Sequence, residues 1–500
     1  MLVVDVNTRY GMQAGGNLDL SLPRLAQELD SHDIALAFTC SLGAVEYDHE
    51  SGNRGTLQAT ERYPWLLPAA TLDVRRYLDW EAEVERCLQA GVRLFRFFPE
   101  LQRWSVSGTP FADLMARLAG SRVAVMLSGR GPDTPTAIAQ ATAEHGLPVI
   151  LTDTFYDNMG EVIATARRHA HIYIETNYLS TPKAVDIMVR EVGADRLLYG
   201  SAAPEYSVQR ALNEVLEADI TEGEKAAILG QNALRLFGLD PELATGRPRL
   251  TSAEMVRLPG PIIDVHCHLG RWRLPVPDGG ATGLLALMRQ AGVDRAIISS
   301  SQAIVYDISG GNRALADAIA GHPELLGYVV VNPNHLEQSC EELDRYYALP
   351  NFVGAKLHMY YSQDTTRSAS GQALLREVAE RGKPLKIHVE EDQAGALRAL
   401  RELALTYPDW SIIKAHGGNG QSAEVVADVP NIYFEFGGSG GRAQDIRQAL
   451  DVLGPRRVMF GSDADLCDIG KQIGVYYDVA LAPEEREQVL FDNASRVFKL

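Results

Sequence analysis

Residues 262–270 read IIDVHCHLG, an apolar run that closes on Asp264, His266, His268 and a glycine. Side chains two apart on a strand share a face, so His266 and His268 point one way and Cys267 the other. A strand buried on both faces is expected to be apolar throughout, so two imidazoles at its end need a reason. Far upstream, residues 3–11 read VVDVNTRYG, the same phrase with Asn7 and Arg9 where the histidines stand.

The repetition continues along the chain. AVEYDHESGNRGTLQA (44–59) matches AIVYDISGGNRALADA (303–318), DRLLYGSAAPE (195–205) matches RRVMFGSDADL (456–466), and QNALRLFGL (231–239) matches DNASRVFKL (492–500). Asp5 and Asp264 are 259 positions apart, as are Asn53 and Asn312; Asn232 and Asn493 are 261 apart. An offset held this steadily marks a tandem duplication of a whole domain. Each copy alternates short β-rich runs with amphipathic stretches such as GQALLREVAERG (371–382). The expected architecture is α/β, two tandem (β/α)8 TIM barrels at 1–240 and 261–500, with a proline-bearing linker at 241–260.

Composition narrows the function. With 500 residues and a formal charge of −18, the chain lacks the clustered cations that nucleic acid or an anionic membrane requires. No apolar run is long enough to span a bilayer, and MLVVDVNTRY carries no signal-peptide pattern. Five scattered cysteines without a CxxC pair fit reduced thiols, and the expected location is cytoplasmic.

In the second copy, polar residues recur at one strand end after another. After His266 and His268 come Lys356 and His358 in VGAKLHMYY, His388 in PLKIHVEE, His416 in SIIKAHGGNG and Asp463 in VMFGSDADL. A lone histidine at a strand end is more often a core residue than a ligand. Their recurrence around one barrel mouth argues instead for a site suited to a divalent ion such as zinc.

These motifs, with VNPN, FGSD and the closing DNASRVF, resemble the amidohydrolase superfamily. The likeness is to its amidohydrolase-related branch, near aminocarboxymuconate-semialdehyde decarboxylase, and it covers nearly all of 262–500. The resemblance implies one divalent metal, zinc with manganese or iron as alternatives, held by His266, His268, His388 and Asp463. It makes Asp463 and His416 the catalytic acid/base pair; Lys356 matches a lysine that some relatives carboxylate to bridge two metals, and with a single metal it binds a substrate anion or packs. Hydrolysis of an amide, lactone or related bond of a small molecule by metal-activated water is the leading reading. Non-oxidative decarboxylation of a small carboxylic acid is the second reading. A non-catalytic binding or scaffold protein is the third. Tyr306 and Tyr360 from the loops, with Arg313, Arg271 and Arg273, are the candidate substrate contacts.

The first copy has lost this equipment. Asn7 and Arg9 replace the histidine pair, Arg93 and Phe95 align with Lys356 and His358, Asp153 stands for His416 and Ala202 for Asp463. It is expected to bind no metal. Its expected role is to cover, as a fused pseudo-subunit, the interface a homodimeric relative would use, giving a monomer or a homo-oligomer. Alternatively it lends a residue to the active mouth, or holds an anionic effector through Arg9, Arg93 and Asp153.

Overall fold

The computed structural model describes residues 1–78, 80–276, 278–438 and 441–500. The chain divides into two compact units, Met1–Met255 and Val256–Leu500. In the first, eight parallel strands pair in chain order: β1 (Val4–Tyr10), β2 (Leu36–Ser41), β3 (Leu66–Ala70), β4 (Leu94–Arg96), β5 (Ala124–Ser128), β6 (Val149–Thr152), β7 (Ile172–Glu175) and β8 (Leu197–Leu198). The second repeats the order with β9 (Ile263–Leu269), β10 (Arg295–Ser300), β11 (Leu325–Val331), β12 (Phe352–His358), β13 (Leu385–His388), β14 (Ile412–Lys414), β15 (Ile432–Glu435) and β16 (Val458–Met459). Helices lie between successive strands, so both units are (β/α)8 barrels.

Each ring is closed by backbone bonds between its first strand and the segment after its last. Val6 N–H donates to the Tyr199 carbonyl (3.0 Å) and Ala202 N–H to that of Asn7 (2.7 Å). In the second unit Val265 N–H donates to Phe460 (3.1 Å) and Asp463 N–H to His266 (2.7 Å). The aspartate of each opening phrase reinforces that seam. Asp264 accepts the N–H groups of His266 (2.9 Å) and Ser462 (3.1 Å) together with the Ser462 hydroxyl. Asp5 does the same with Asn7, Ser201 and the Ser201 hydroxyl. Burial pushes the two carboxyls up, to about 6 for Asp264 and about 7 for Asp5.

The shared Tyr-Asp and Gly-Asn-Arg phrases also serve the scaffold. Asp48 and Asp307 N-cap the helices His49–Arg62 and Ile308–Ile319. Gly52 and Gly311 let those helices touch the preceding turn: an added Cβ would lie 2.2 Å from Ala44 N and 2.3 Å from Ala303 N. Asn53 and Asn312 then bond both backbone groups of Thr71 and Val330. The proline-bearing stretch is tied to the first unit, with Arg247 over the Trp65 ring at 4.1 Å and the Leu250 carbonyl accepting from the Met1 amine.

The strands at the site are shorter than the apolar runs predict. The segments WSIIKAH (410–416) and RVMFGS (457–462), each of strand length, keep only three and two paired residues. The chain turns away at once: His416 and Asp463 take positive φ, 56° and 70°.

Candidate metal centre

Above an apolar floor that includes Ile263, Val265, Ile297, Tyr328 and Met459, the lumen of the second barrel fills with charge. Lys356, Lys386 and Lys414 come from β12, β13 and β14 and Glu435 from β15, all buried. Buried charges persist only when paired. Lys386 Nζ lies 2.8 Å from Glu435 Oε1. The same oxygen faces His266 Nδ1 at 2.8 Å and accepts the His416 N–H at 3.0 Å, while Oε2 accepts the Gly437 N–H at 2.7 Å. Burial works against ionisation of Glu435, but Lys386 and His266 outweigh it and hold the carboxyl well below its usual range.

An ionised Glu435 can only accept, so His266 carries its proton on Nδ1 and presents Nε2 as a lone pair. Three groups gather around it: His268 Nε2 at 3.2 Å, Asp463 Oδ1 at 3.2 Å and Lys356 Nζ at 3.3 Å. His268 Nε2 is also 3.0 Å from Asp463 Oδ1, and its Nδ1 lies 3.0 Å from Ser299 Oγ. A cation at about 2.0–2.1 Å from each ligand spaces tetrahedral donors about 3.3 Å apart, so this triangle has the right size for one. Burial, aided by Lys386 at His266, keeps both imidazoles below their ordinary pKa and therefore neutral, the form a metal takes.

Among the described residues, two groups could hold an ion: His266, His268 and Asp463, and His266, His416 and Glu435. The first fits better, because both Glu435 oxygens are already engaged by donors. His388 belongs to neither group. β12 and β13 pair His358 with His388, and the two rings stack at 4.0 Å. The His388 ring also lies 4.7 Å from that of His416, which is itself 5.0 Å from that of His266.

His416 is set by its surroundings. Its Nδ1 lies 2.7 Å from the Gly437 carbonyl, so the proton sits there and Nε2 is the basic nitrogen. Lys414 binds the carbonyls of Ala415 and Gly417. Gly417 follows at φ 36°, where a Cβ would lie 2.2 Å from the Phe436 ring. Lys356, also predicted, belongs to the cluster, and burial and Lys386 push its pKa down to about 7.

The loop residues fall differently. Tyr306 is 89% exposed, Tyr360 is 51% exposed and Arg313 is exposed on the helix Ile308–Ile319. Tyr306 caps a short helix with its ring in solvent and Arg313 is likewise exposed, whereas the Tyr360 ring lies 6.4 Å from that of His358 and 5.5 Å from that of Tyr361. Trp272 and Tyr361 face the cluster instead. The Trp272 ring is 4.9 Å from His268 and 6.1 Å from Tyr361, its N–H donates to Asp465 (3.3 Å), and Tyr361 lies 4.7 Å from His358 with Arg273 5.1 Å above it. Glu435, Lys386 and Lys414 were legible as charges inside apolar runs, in IYFEF, PLKIH and SIIKA. Trp272 and Tyr361 carried no such signal.

Strand register corrects the alignment of the first barrel. Phe95 pairs with Val125 as Ala355 pairs with Leu385, so Arg96 and Phe98 stand for Lys356 and His358. Arg93 lies below, donating to the carbonyls of Phe237 (2.6 Å) and Gly238 (2.8 Å). The same register sets Ser128 for His388 and Glu175 for Glu435.

Comparison with curated protein sequences finds no match. Solved structures similar to the chain include 2,6-dihydroxybenzoate decarboxylase complexed with 2,6-dihydroxybenzoate, 16% identical over 48% of this chain and 99% of that one, TM-score 0.41. A dihydroxybenzoic acid decarboxylase from Polaromonas sp. JS666, with bound manganese and 2-nitroresorcinol, is 17% identical over 48% and 97%, TM-score 0.41. 5-Carboxyvanillate decarboxylase from Sphingomonas paucimobilis is 13% identical over 48% and 99%, TM-score 0.40. The family model described as amidohydrolase matches twice, at residues 48–239 and 263–500, and with both barrels so matched the chain belongs to the amidohydrolase family.

Proposed function

We propose that the second barrel is a metal-dependent enzyme that hydrolyses an amide, lactone or related C–N or C–O bond of a small molecule. The observation that carries this reading is the triangle of His266 Nε2, His268 Nε2 and Asp463 Oδ1, with separations of 3.0–3.2 Å. His266, His268 and Asp463 would hold one divalent ion, zinc or else manganese or iron, and His388 is the nearby imidazole that completes the expected set. Such an ion supplies a Lewis acid and a bound water acidic enough to ionise near neutral pH. A Cβ added at Gly438 would lie 3.0 Å from His416 Nδ1 and 3.5 Å from Asp463 Oδ2, so the two side chains are close neighbours. Asp463 can therefore accept a proton from the attacking water, and His416, protonated in turn at Nε2, can give one to the leaving group. Lys356 would neutralise a substrate oxyanion. The first barrel lacks this set and serves as a fused pseudo-subunit, in a monomer or homo-oligomer that binds neither nucleic acid nor membrane.

One observation favours decarboxylation as the second reading. The wall of Trp272 and Tyr361, with Arg273 over Tyr361, suits a flat acid whose carboxylate meets a guanidinium. The test is a product-identified screen of lactones, amides and aromatic carboxylic acids with zinc- or manganese-loaded chain. Ring opening or amide cleavage without CO2 supports hydrolysis; CO2 release supports the second reading. Retention of less than about half an equivalent of metal after reconstitution, equal to that of His266→Ala, would leave a scaffold protein.

A further inference from the structure

The mouth of the first barrel replaces a metal site with two guanidiniums. Arg9 occupies the place of His268 and Arg96 that of Lys356, while Asn7 stands for His266. Arg96 is 8% exposed, its Nη1 has no hydrogen-bond partner, and among the described residues no carboxylate lies within ion-pair distance of it. Its guanidinium lies 5.0 Å over the Phe98 ring, and its neighbours in charge are Arg9 from β1, Cys40 from β2, Asp153 after β6 and Glu175 from β7. Arg9 lies 2.6 Å from Glu205, and its side chain is 20% exposed. In the same ring Asn7 Oδ1 and Glu175 Oε2 are buried without a well-formed hydrogen bond; the two side chains interact, and burial pushes the Glu175 carboxyl up to about 8, so it carries a proton.

A buried guanidinium without a counter-ion is costly unless something fills the place. The unmet groups are one cationic donor, the Asn7 amide oxygen, which needs a donor, and the protonated Glu175 carboxyl, which offers one. An anion alone would satisfy the first and leave the amide oxygen bare. A molecule bearing a carboxylate and a hydroxyl satisfies all three, since guanidinium and carboxylate match in geometry and the hydroxyl can donate to the amide oxygen or accept from the carboxyl. We infer that the first barrel is a metal-independent binding site for a small hydroxy-carboxylate, its carboxylate on Arg96 and Arg9 and its hydroxyl on Asn7 or Glu175. The duplicated barrel has thus exchanged a bound cation for fixed positive charge and kept an anion-binding mouth.

Titration calorimetry of the full chain after chelator treatment tests this, with glycolate and salicylate as probes and inorganic phosphate as comparator. One equivalent of either hydroxy acid should bind with Kd of about 1 mM or tighter, weakened at least about tenfold by Arg96→Met and far less by Arg96→Lys. His266→Ala, in the other barrel, should leave binding in place. The inference is overturned if neither acid binds below about 10 mM, if phosphate alone binds, if Arg96→Met binds like the parent chain, or if His266→Ala abolishes binding. Should Arg96→Met fail to fold, Arg9→Gln is read in the same way.

Discussion

Glu435 touches four donors, the His266 ring, the His416 backbone, Lys386 and the Gly437 backbone, and so fixes both the tautomer of His266, the proposed metal ligand, and the position of His416, the proposed acid/base. Groups that orient ligands from behind typically contribute 10- to 100-fold to metal affinity. Glu435→Gln should therefore weaken metal binding by about 10- to 100-fold in a metal-buffer titration. Asp463→Asn, which removes a charged ligand, should weaken it further. A second residue-scale prediction concerns the seam of the first barrel. Burial raises the Asp5 carboxyl to about 7, so the folded state favours its protonated form. The stability it contributes is fully present below the unfolded value near 4 and is lost as pH rises through about 7. Asp5→Asn should flatten that loss. Urea midpoints at about pH 5 and about pH 8 should differ less in the variant than in the parent chain.

At the scale of elements, the phrases shared by the two copies divide into scaffold and chemistry. Gly52 and Gly311 both sit where a Cβ would meet backbone, and such overpacking against an immobile neighbour costs about 1–3 kcal/mol or more. Gly52→Ala and Gly311→Ala should each destabilise their own barrel by at least about 2 kcal/mol, read by denaturant unfolding. Gly417 has no such twin, since Thr154 follows Asp153 in the first copy where Gly417 follows His416 in the second. Its φ of 36° and the Phe436 ring beneath it hold His416 in its turn. Gly417→Ala should cost activity more than stability, with kcat falling and metal content unchanged. The strand ends themselves explain why the apolar runs overstate strand length. The last residues of those runs leave the ladder to place side chains over the mouth, and periodicity alone does not register where pairing stops.

For the whole molecule, on the proposed function only the second barrel holds a metal, so a chelator should act on half the chain. A ligand at about 1,000 times its Kd adds about 4 kcal/mol to the folded state. For a barrel of this size that corresponds to about 8–16 °C in the melting midpoint. The parent chain should lose a shift of that order on chelation, measured calorimetrically, and Asp463→Asn should show none. Among the described residues no helix is long and apolar enough to cross a membrane. The amidohydrolase match at 48–239 as well as 263–500 places the first copy in the same family despite its missing ligands, because the family is written in packing and capping residues as well as in chemistry.

Duplication, barrel class and the histidine pair were legible in the linear chain, because an HxH on a strand and a constant repeat offset depend only on local spacing. Glu435 was present as a charge in an apolar run, yet its role depends on β15 lying close enough to β9 to reach His266. Likewise only strand register distinguishes Arg96 from Arg93, and only packing sets His388 against His358 and turns Tyr306 and Arg313 outward. Spacing along a chain tells which face a residue shares; closure of the ring decides which residues from distant strands meet there.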